Sequence, residues 1–396
     1  MAVSIMQNPS GVSLSQTPIV FAVSESNADT QASSSFQYIA ELYYWTGSLT
    51  ESGSTSQYTL QKYPNQQGVG IFDVSRIVTS LFQDLRAENS SSVQHIAVDT
   101  YVQFKQNPTA SFETGSHVKS DTFDVIDGYK VFQETLSSEI EDNNPLWPIM
   151  TDGPVSQSFL DSNYGELSIW IGSGSQATYA IYSSSLGGED QSVALPSTTR
   201  NTSGSVTTIP FWPNESGFPL STTEDSYTVF LISGSNANDT NARITDNITI
   251  TRECSKKYPN VRIKWKNRYG QFDYFNFNLV SKETFNTKRD RYQPQIGSWD
   301  SRNLSYEKYE SSIQNYITDS TLKLSVNTDY VSEDYNDIFK ELMVSDEIYW
   351  VYDEANDYVR PLAMDTSTFN IKTNVVDKLI QYSFDFTQGQ GYKLIF

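Results

Sequence analysis

Val261-Arg262-Ile263-Lys264-Trp265-Lys266-Asn267-Arg268-Tyr269-Gly270-Gln271-Phe272-Asp273-Tyr274-Phe275-Asn276-Phe277-Asn278-Leu279 is the most strongly patterned stretch of this 396-residue chain. Val261, Ile263 and Trp265 alternate with Arg262, Lys264 and Lys266, while Phe275, Phe277 and Leu279 alternate with Asn276 and Asn278. A period of two places each set on its own face of a pleated strand. Asn267-Arg268-Tyr269-Gly270, between the two runs, has the composition of a turn, so the pair predicts a β-hairpin.

The same period recurs downstream. Leu322, Leu324 and Val326 form one alternating strand, and Ile380, Tyr382, Phe384 and Phe386 form a closing one. Two apolar runs, 348–352 and 358–362, flank a polar loop at 353–357 and predict a second hairpin. A short helix is expected near 332–343, capped by Ser332, with Tyr335, Ile338, Phe339 and Leu342 on its inward face.

Upstream, residues 18–23, 36–45 and the alternating Ile96, Val98, Thr100, Val102 and Phe104 predict strands. A helix near 73–86, capped by Asp73, presents Val74, Ile77, Val78, Leu81, Phe82 and Leu85 at helical spacing and would cover the end of a sandwich. The opening stretch to Thr17 has weak periodicity and reads as an arm. Between 144 and 251, short runs at 167–171, 178–182 and 227–232 are separated by stretches rich in Gly, Ser and Asn. Asp142-Asn143-Asn144-Pro145 reads as a linker. The expected fold is therefore mainly β: two antiparallel β-sandwich-like domains, 1–143 and 144–251, then an aromatic-rich β domain, 252–396, with one or two short helices in the chain. No fixed-period repeat is present.

Composition supports this reading. Aromatic residues make up 13% of the chain, and they favour strands and bury a large area each. The net charge of −20 argues against nucleic acid as the main ligand, since binding it requires neutralising phosphates. The charge is unevenly spread: residues 252–308 carry 13 basic and 6 acidic side chains, whereas residues 309–396 carry 6 and 15. A basic band between acidic blocks suits docking on an acidic surface, of a neighbour or of the chain itself. The candidate interface residues are Arg262, Lys264, Lys266, Arg268, Tyr269, Lys288, Arg289 and Arg291. A solvated strand-and-loop face is the alternative of equal standing.

Chemistry-bearing motifs are sparse. The single cysteine, Cys254, rules out an internal disulfide and a multi-cysteine zinc site. The two histidines, His95 and His117, read as surface residues rather than as a base or metal ligand. There is no nucleophile elbow, dinucleotide fingerprint or phosphate loop. Asp121, Asp124 and Asp127, and likewise Asp353, Glu354 and Asp357, are acidic clusters without the EF-hand spacing, better read as solvated loop charges. An acid pair for glycoside hydrolysis is a matter of spatial separation, invisible in sequence. No enzyme, cofactor or metal site is expected. Residues 1–17 lack a signal-peptide pattern and no run approaches a membrane span, so synthesis in a cytoplasm without membrane insertion is expected. Six Asn-x-Ser/Thr sequons arise from a composition rich in those residues.

The stretch 261–275, a strand ending in an aromatic, then Asn-Arg-aromatic-Gly, then an aromatic-rich strand, resembles a pattern that recurs in virion structural proteins of tailed bacteriophages. The downstream segments are similar too: 322–326, the helix near 332–343, Ser345-Asp346-Glu347-Ile348-Tyr349 and the closing strand 378–386. Residues 18–21 with Phe36-Gln37-Tyr38 resemble such proteins more loosely. The resemblance implies a repeated, non-enzymatic subunit of the tail, baseplate or collar. It would be located in the virion tail and partnered by other virion proteins and by copies of itself. Two alternatives are a head or collar decoration or fibre protein, and a carbohydrate-binding receptor protein or adhesin. The last would bind host-surface glycan through the middle loops and aromatics such as Trp170 or Trp212.

Overall fold

The computed structural model describes residues 3–395 apart from 10, 27, 29–35, 47–57, 86–92, 108, 131–145, 173–176, 185–189, 197–203, 221–224, 235, 238–241, 254–256, 296, 306, 308, 354–357, 374–379 and 390–391. The fold is mainly β, with 53% of residues in strands and 7% in helices. Two units divide the chain: Met1–Glu253 with Asn267–Phe272, and Cys254–Lys266 with Asp273–Phe396.

The first unit contains two sandwich-like cores. One is built from a sheet of Ser4–Gln7, Val20–Ser24 and Val69–Asp73 and a larger sheet whose central strands are Gln94–Phe104 and Phe36–Trp45. Phe21, Val23 and Phe72 from the small sheet meet Phe36, Tyr38, Leu42, Val98 and Val102 from the large one. These are the alternate residues of each strand, as period two requires. The helix Ser75–Leu85 adds Val78 and Phe82 to that core. Asp73 caps it, its Oδ1 accepting from the Ser75 amide at 2.9 Å and from the Ile19 amide at 3.2 Å.

The opening residues, expected as an arm, instead form two strands. Ser4–Gln7 pairs with Val20–Ser24, and Val12–Leu14 lies parallel to Phe123–Ile126 with every residue buried. A three-residue strand is too short to display a period, and its partner lies more than a hundred residues away in sequence, so nothing local marks it.

The other core of the first unit joins the five-stranded sheet around Ser226–Ser233 and Ala177–Ser184 to the pair Glu166–Ile171 and Ser205–Pro210. A smaller apolar cluster, in which Leu14 and Ile126 meet Met150, Trp170 and Tyr269, connects the two halves of the unit. The expected linker at 142–145 lies outside the described residues.

The second unit holds a sheet of eight strands and a separate two-stranded one, Ser298–Asp300 with Asn303–Ser305. The order of the larger sheet is Phe272–Phe277, Val261–Lys266, Ile348–Asp353, Tyr358–Met364, Ser383–Gln388, Gln314–Asn327 and Lys282–Tyr292, with Tyr392–Ile395 also paired to Gln314–Asn327. The helix Asn336–Val344 comes after a 3-10 turn, Glu333–Tyr335. Ser332 precedes this turn but does not cap it through its side chain. Its hydroxyl donates to Asp334 Oδ2 at 3.1 Å, because the nearby carboxylate is the stronger acceptor for the one proton it has. Phe339 is fully buried, with the rings of Phe275, Tyr382 and Phe384 at 5.0, 5.3 and 5.4 Å from its own.

Truncating that ring would remove the hub of the cluster and leave a cavity. Phe339→Ala is expected to cost about 3–5 kcal/mol, measured as a drop in the urea midpoint that governs hydrogen exchange of the Val261–Lys266 amides. A loss under about 1 kcal/mol would show that the site collapses around the gap.

Candidate protein interface

The turn of the first-quoted hairpin belongs to the first unit although both of its strands lie in the second. Asn267 closes it. Its Oδ1 accepts from the amides of Tyr269 and Gln271, each at 3.0 Å, an Asx-type closure that mimics a backbone turn. Its Nδ2 donates to the Met150 carbonyl at 2.9 Å. Arg268 forms an ion pair with Asp152, and the Tyr269 hydroxyl donates to the same carboxylate at 3.0 Å. The backbones themselves touch: the Tyr129 amide donates to the Arg268 carbonyl at 2.8 Å. A Cβ on Gly128 would sit 2.2 Å from that carbonyl oxygen, and one on Gly270 would sit 2.4 Å from the Asp127 carbonyl oxygen. Gly270 has φ +73, a conformation glycine adopts without steric cost.

The eight candidate interface residues fall into two groups. Arg262 is buried, bonded to Asn276 Oδ1 at 2.9 Å and stacked over Tyr274. Lys266 is buried beside Glu347 at 3.4 Å, and Lys264, half-buried, lies over the Tyr349 ring. Arg268 and Tyr269 are the turn residues engaged with Asp152. Lys288, Arg289 and Arg291 are exposed on the edge strand Lys282–Tyr292.

That edge strand and its partner Gln314–Asn327 form a long ribbon in register from Lys282 opposite Ser325 to Tyr292 opposite Gln314, with a bulge at Asp290/Arg291. Alternate residues of a strand share a face, so along Lys282–Tyr292 Phe285 and Arg289 lie on one face and Lys288 on the other, and the bulge at Tyr316 of the partner strand interrupts the alternation there. Phe285, Tyr292 and Tyr316 are 57%, 48% and 51% exposed. Sequence periodicity read one end of this ribbon, 322–326, where Leu324 and Val326 enter the core; it missed Lys282–Tyr292, which has no buried residue and so no apolar alternation, only its charge.

The titratable groups take a different arrangement. His95, expected at the surface, is buried in the strand Gln94–Phe104, with Nδ1 2.6 Å from Asp124 Oδ1. Pairing sets it opposite Asp124 on one side and Trp45 on the other, a long-range placement that local sequence does not reveal. His117 is half-exposed, 3.0 Å from Asp99 Oδ2. Glu41 and Asp99 face each other across paired strands, and the Tyr101 hydroxyl donates to Glu41 Oε1 at 3.0 Å. Burial first, then Glu41 and the negative charge of Asp99, push the Tyr101 phenol from 10.0 up to about 12. The phenol therefore stays protonated and acts as a donor. The cluster is a hydrogen-bonded network on a sheet face, with no nucleophile set against a base.

Trp170 and Trp212, expected as exposed sugar platforms, are both buried. Trp170 sits in the cluster that joins the two cores, its strand paired with Ser205–Pro210, and Trp212, just past the end of that partner strand, packs edge-on against Phe211. Of the acidic triplet, Asp127 accepts from Ser15 Oγ at 2.8 Å while Asp124 serves His95 and the Gly204 amide. Among the described residues no group of three or more His, Cys, Asp or Glu could hold a metal ion. Cys254, residues 354–357 and most of the Ser/Gly-rich middle loops lie outside the described residues. No helix among them is long and apolar enough to cross a membrane.

No protein-family model matches the chain, and no curated protein does. Among solved structures, trypsin-activated alpha-2-macroglobulin from Escherichia coli is similar over 83% of this chain at 8% identity, with a TM-score of 0.22. The chain spans 23% of that protein, and so loose a likeness carries no argument.

Breaking the turn closure should cost stability. Asn267→Ala leaves two amides and a carbonyl without their partner and is expected to cost about 2–4 kcal/mol. Gly270→Ala is expected to cost at least about 1 kcal/mol. Both are measured by denaturant unfolding of the first unit, and unchanged midpoints would refute the closure. For Tyr101, a folded pKa above the unfolded one favours the protonated fold. That contribution is complete below pH 10 and lost as the pH rises from 10 toward about 12. Melting temperature against pH in that window should fall less steeply for Tyr101→Phe than for the parent chain; parallel curves would contradict the shift.

Proposed function

We propose that this chain is a structural component of a tailed-phage virion, a tail-associated subunit such as a baseplate, ring, adaptor or fibre-base protein. It acts through protein–protein interfaces, without turnover or cofactor, and its partners are other virion proteins and copies of itself. The observation that carries this reading is the long ribbon Lys282–Tyr292 with Gln314–Asn327, which leaves Phe285, Tyr292 and Tyr316 about half exposed beside Arg289. Tyr and Arg are the residues that anchor protein interfaces, and apolar side chains displayed on a ribbon are a docking feature more than a solvated one. The likeness of 261–275 and of the strands after it to tail-protein patterns supports the same reading.

Mass spectrometry of purified virions, separated into heads and tails, tests it. The expected result is this chain in the tail fraction at several copies per particle. Absence from every particle fraction would refute the virion reading, and a head-only location would replace it with a capsid or collar role.

A further inference from the structure

We propose that the ribbon is one half of a contact between copies of this chain, the other half being the acidic segment 329–337 of another copy. This deepens the assembly reading and rests on it for its biological setting, but its argument is physical. The edge strand Lys282–Tyr292 carries four basic and two acidic residues in a chain whose net charge is −20. Its cations Lys288, Arg289 and Arg291 are all exposed. The chain's own surface is therefore an electrostatic complement to it.

We assign segment 329–337 as that complement; its Asp337 also pairs with Lys340 at 2.7 Å. It holds four carboxylates, Asp329, Glu333, Asp334 and Asp337, in nine positions. Glu333 and Asp334 are exposed, Asp337 is 69% exposed, and Tyr330 beside them is 58% exposed. An acidic strip with a projecting aromatic is the counterpart of a basic strip bearing Phe285, Tyr292 and Tyr316.

The charges also limit how copies can meet. Any edge-to-edge pairing of two ribbons that brings Lys288, Arg289 and Arg291 of one copy close to the same cations of the other is opposed by like-charge repulsion. A ribbon-to-segment contact has no such penalty, and it either closes a two-fold pair in which each copy gives both surfaces or propagates to a ring or filament.

A charge swap on the full chain tests this. Sedimentation velocity at about 0.1 M and about 1 M salt spans screening lengths of ~10 to ~3 Å. The expected result is concentration-dependent oligomers at low salt that dissociate at high salt. The ribbon variant K288E/R289E/R291E and the acceptor variant E333K/D334K should each weaken association at least about tenfold, with circular dichroism and melting temperature unchanged. Mixing the two variants one to one should restore assembly, since each then offers what the other lacks. A monomer at all concentrations, a dimer that ignores both reversals, or no recovery on mixing overturns the proposal. Those results are separable from the virion test: a chain present in tails that fails the swap refutes this contact alone. Absence from virions with an intact swap refutes the virion reading alone.

Discussion

Everything about the Asn267–Phe272 turn depends on one side chain amide. Asn267 is buried, and within it every polar atom has work: the oxygen takes the Tyr269 and Gln271 amides, and the nitrogen reaches the Met150 carbonyl. A buried turn otherwise leaves backbone donors without partners, each at a cost of about 1–3 kcal/mol. Aspartate in its place would keep the acceptor and lose the donor, while leucine would keep neither. With the turn closed from inside, its outer backbone is free to lie directly against residues 127–129. That approach leaves no room for a side chain at Gly128 or Gly270. Arg268 and Tyr269 then converge on the single carboxylate of Asp152, which the guanidinium neutralises and the phenol solvates.

The limits of the sequence stem from the same geometry. Alternation exposed the hairpin strands, the helix Ser75–Leu85 with its Asp73 cap, and the closing aromatic strand, because one face of each is buried and the other is not. Where that asymmetry fails, the pattern vanishes. The strand Lys282–Tyr292 is wet on both faces, Val12–Leu14 is buried throughout and only three residues long, and neither leaves a period to read. Contacts set by register were equally hidden: His95 became a core residue because Asp124 and Trp45 pair opposite it. The Tyr101–Glu41–Asp99–His117 network needs three segments brought together, and none of its members is unusual in its own stretch. Of the candidate interface, the residue types were legible in the sequence, but which of them face water was not.

That last distinction changes the electrostatics of the chain. Counted along the sequence, residues 252–308 form one basic band. In three dimensions Arg262 and Lys266 are buried and Arg268 is largely so. Removing such charges from water is expensive unless each is matched, and each is: Arg262 by Asn276 and the Tyr274 face, Lys266 by Glu347, Arg268 by Asp152. These three cations serve internal geometry and contribute little to the field that a partner feels. The band's positive field is left to its exposed cations, Lys257, Lys282 and Arg302 among them, with the densest group at Lys288, Arg289 and Arg291 on the ribbon strand.

A ribbon of that kind is hard to account for as a free-standing element. Two strands alone are marginal in water, and this pair displays Phe285, Tyr292, Tyr316 and Ile313 to solvent. Part of its length is steadied by Tyr392–Ile395 on the far side of Gln314–Asn327 and by Ser383–Gln388 nearer the core. The remaining edge stays open, and an open edge invites pairing with any other strand. Three cations within four residues oppose that reaction between identical edges. In the proposed contact the same side chains keep free copies apart and select a surface of opposite charge, so solubility and selectivity come from one set of residues, and a neutral strand of the same shape would provide neither.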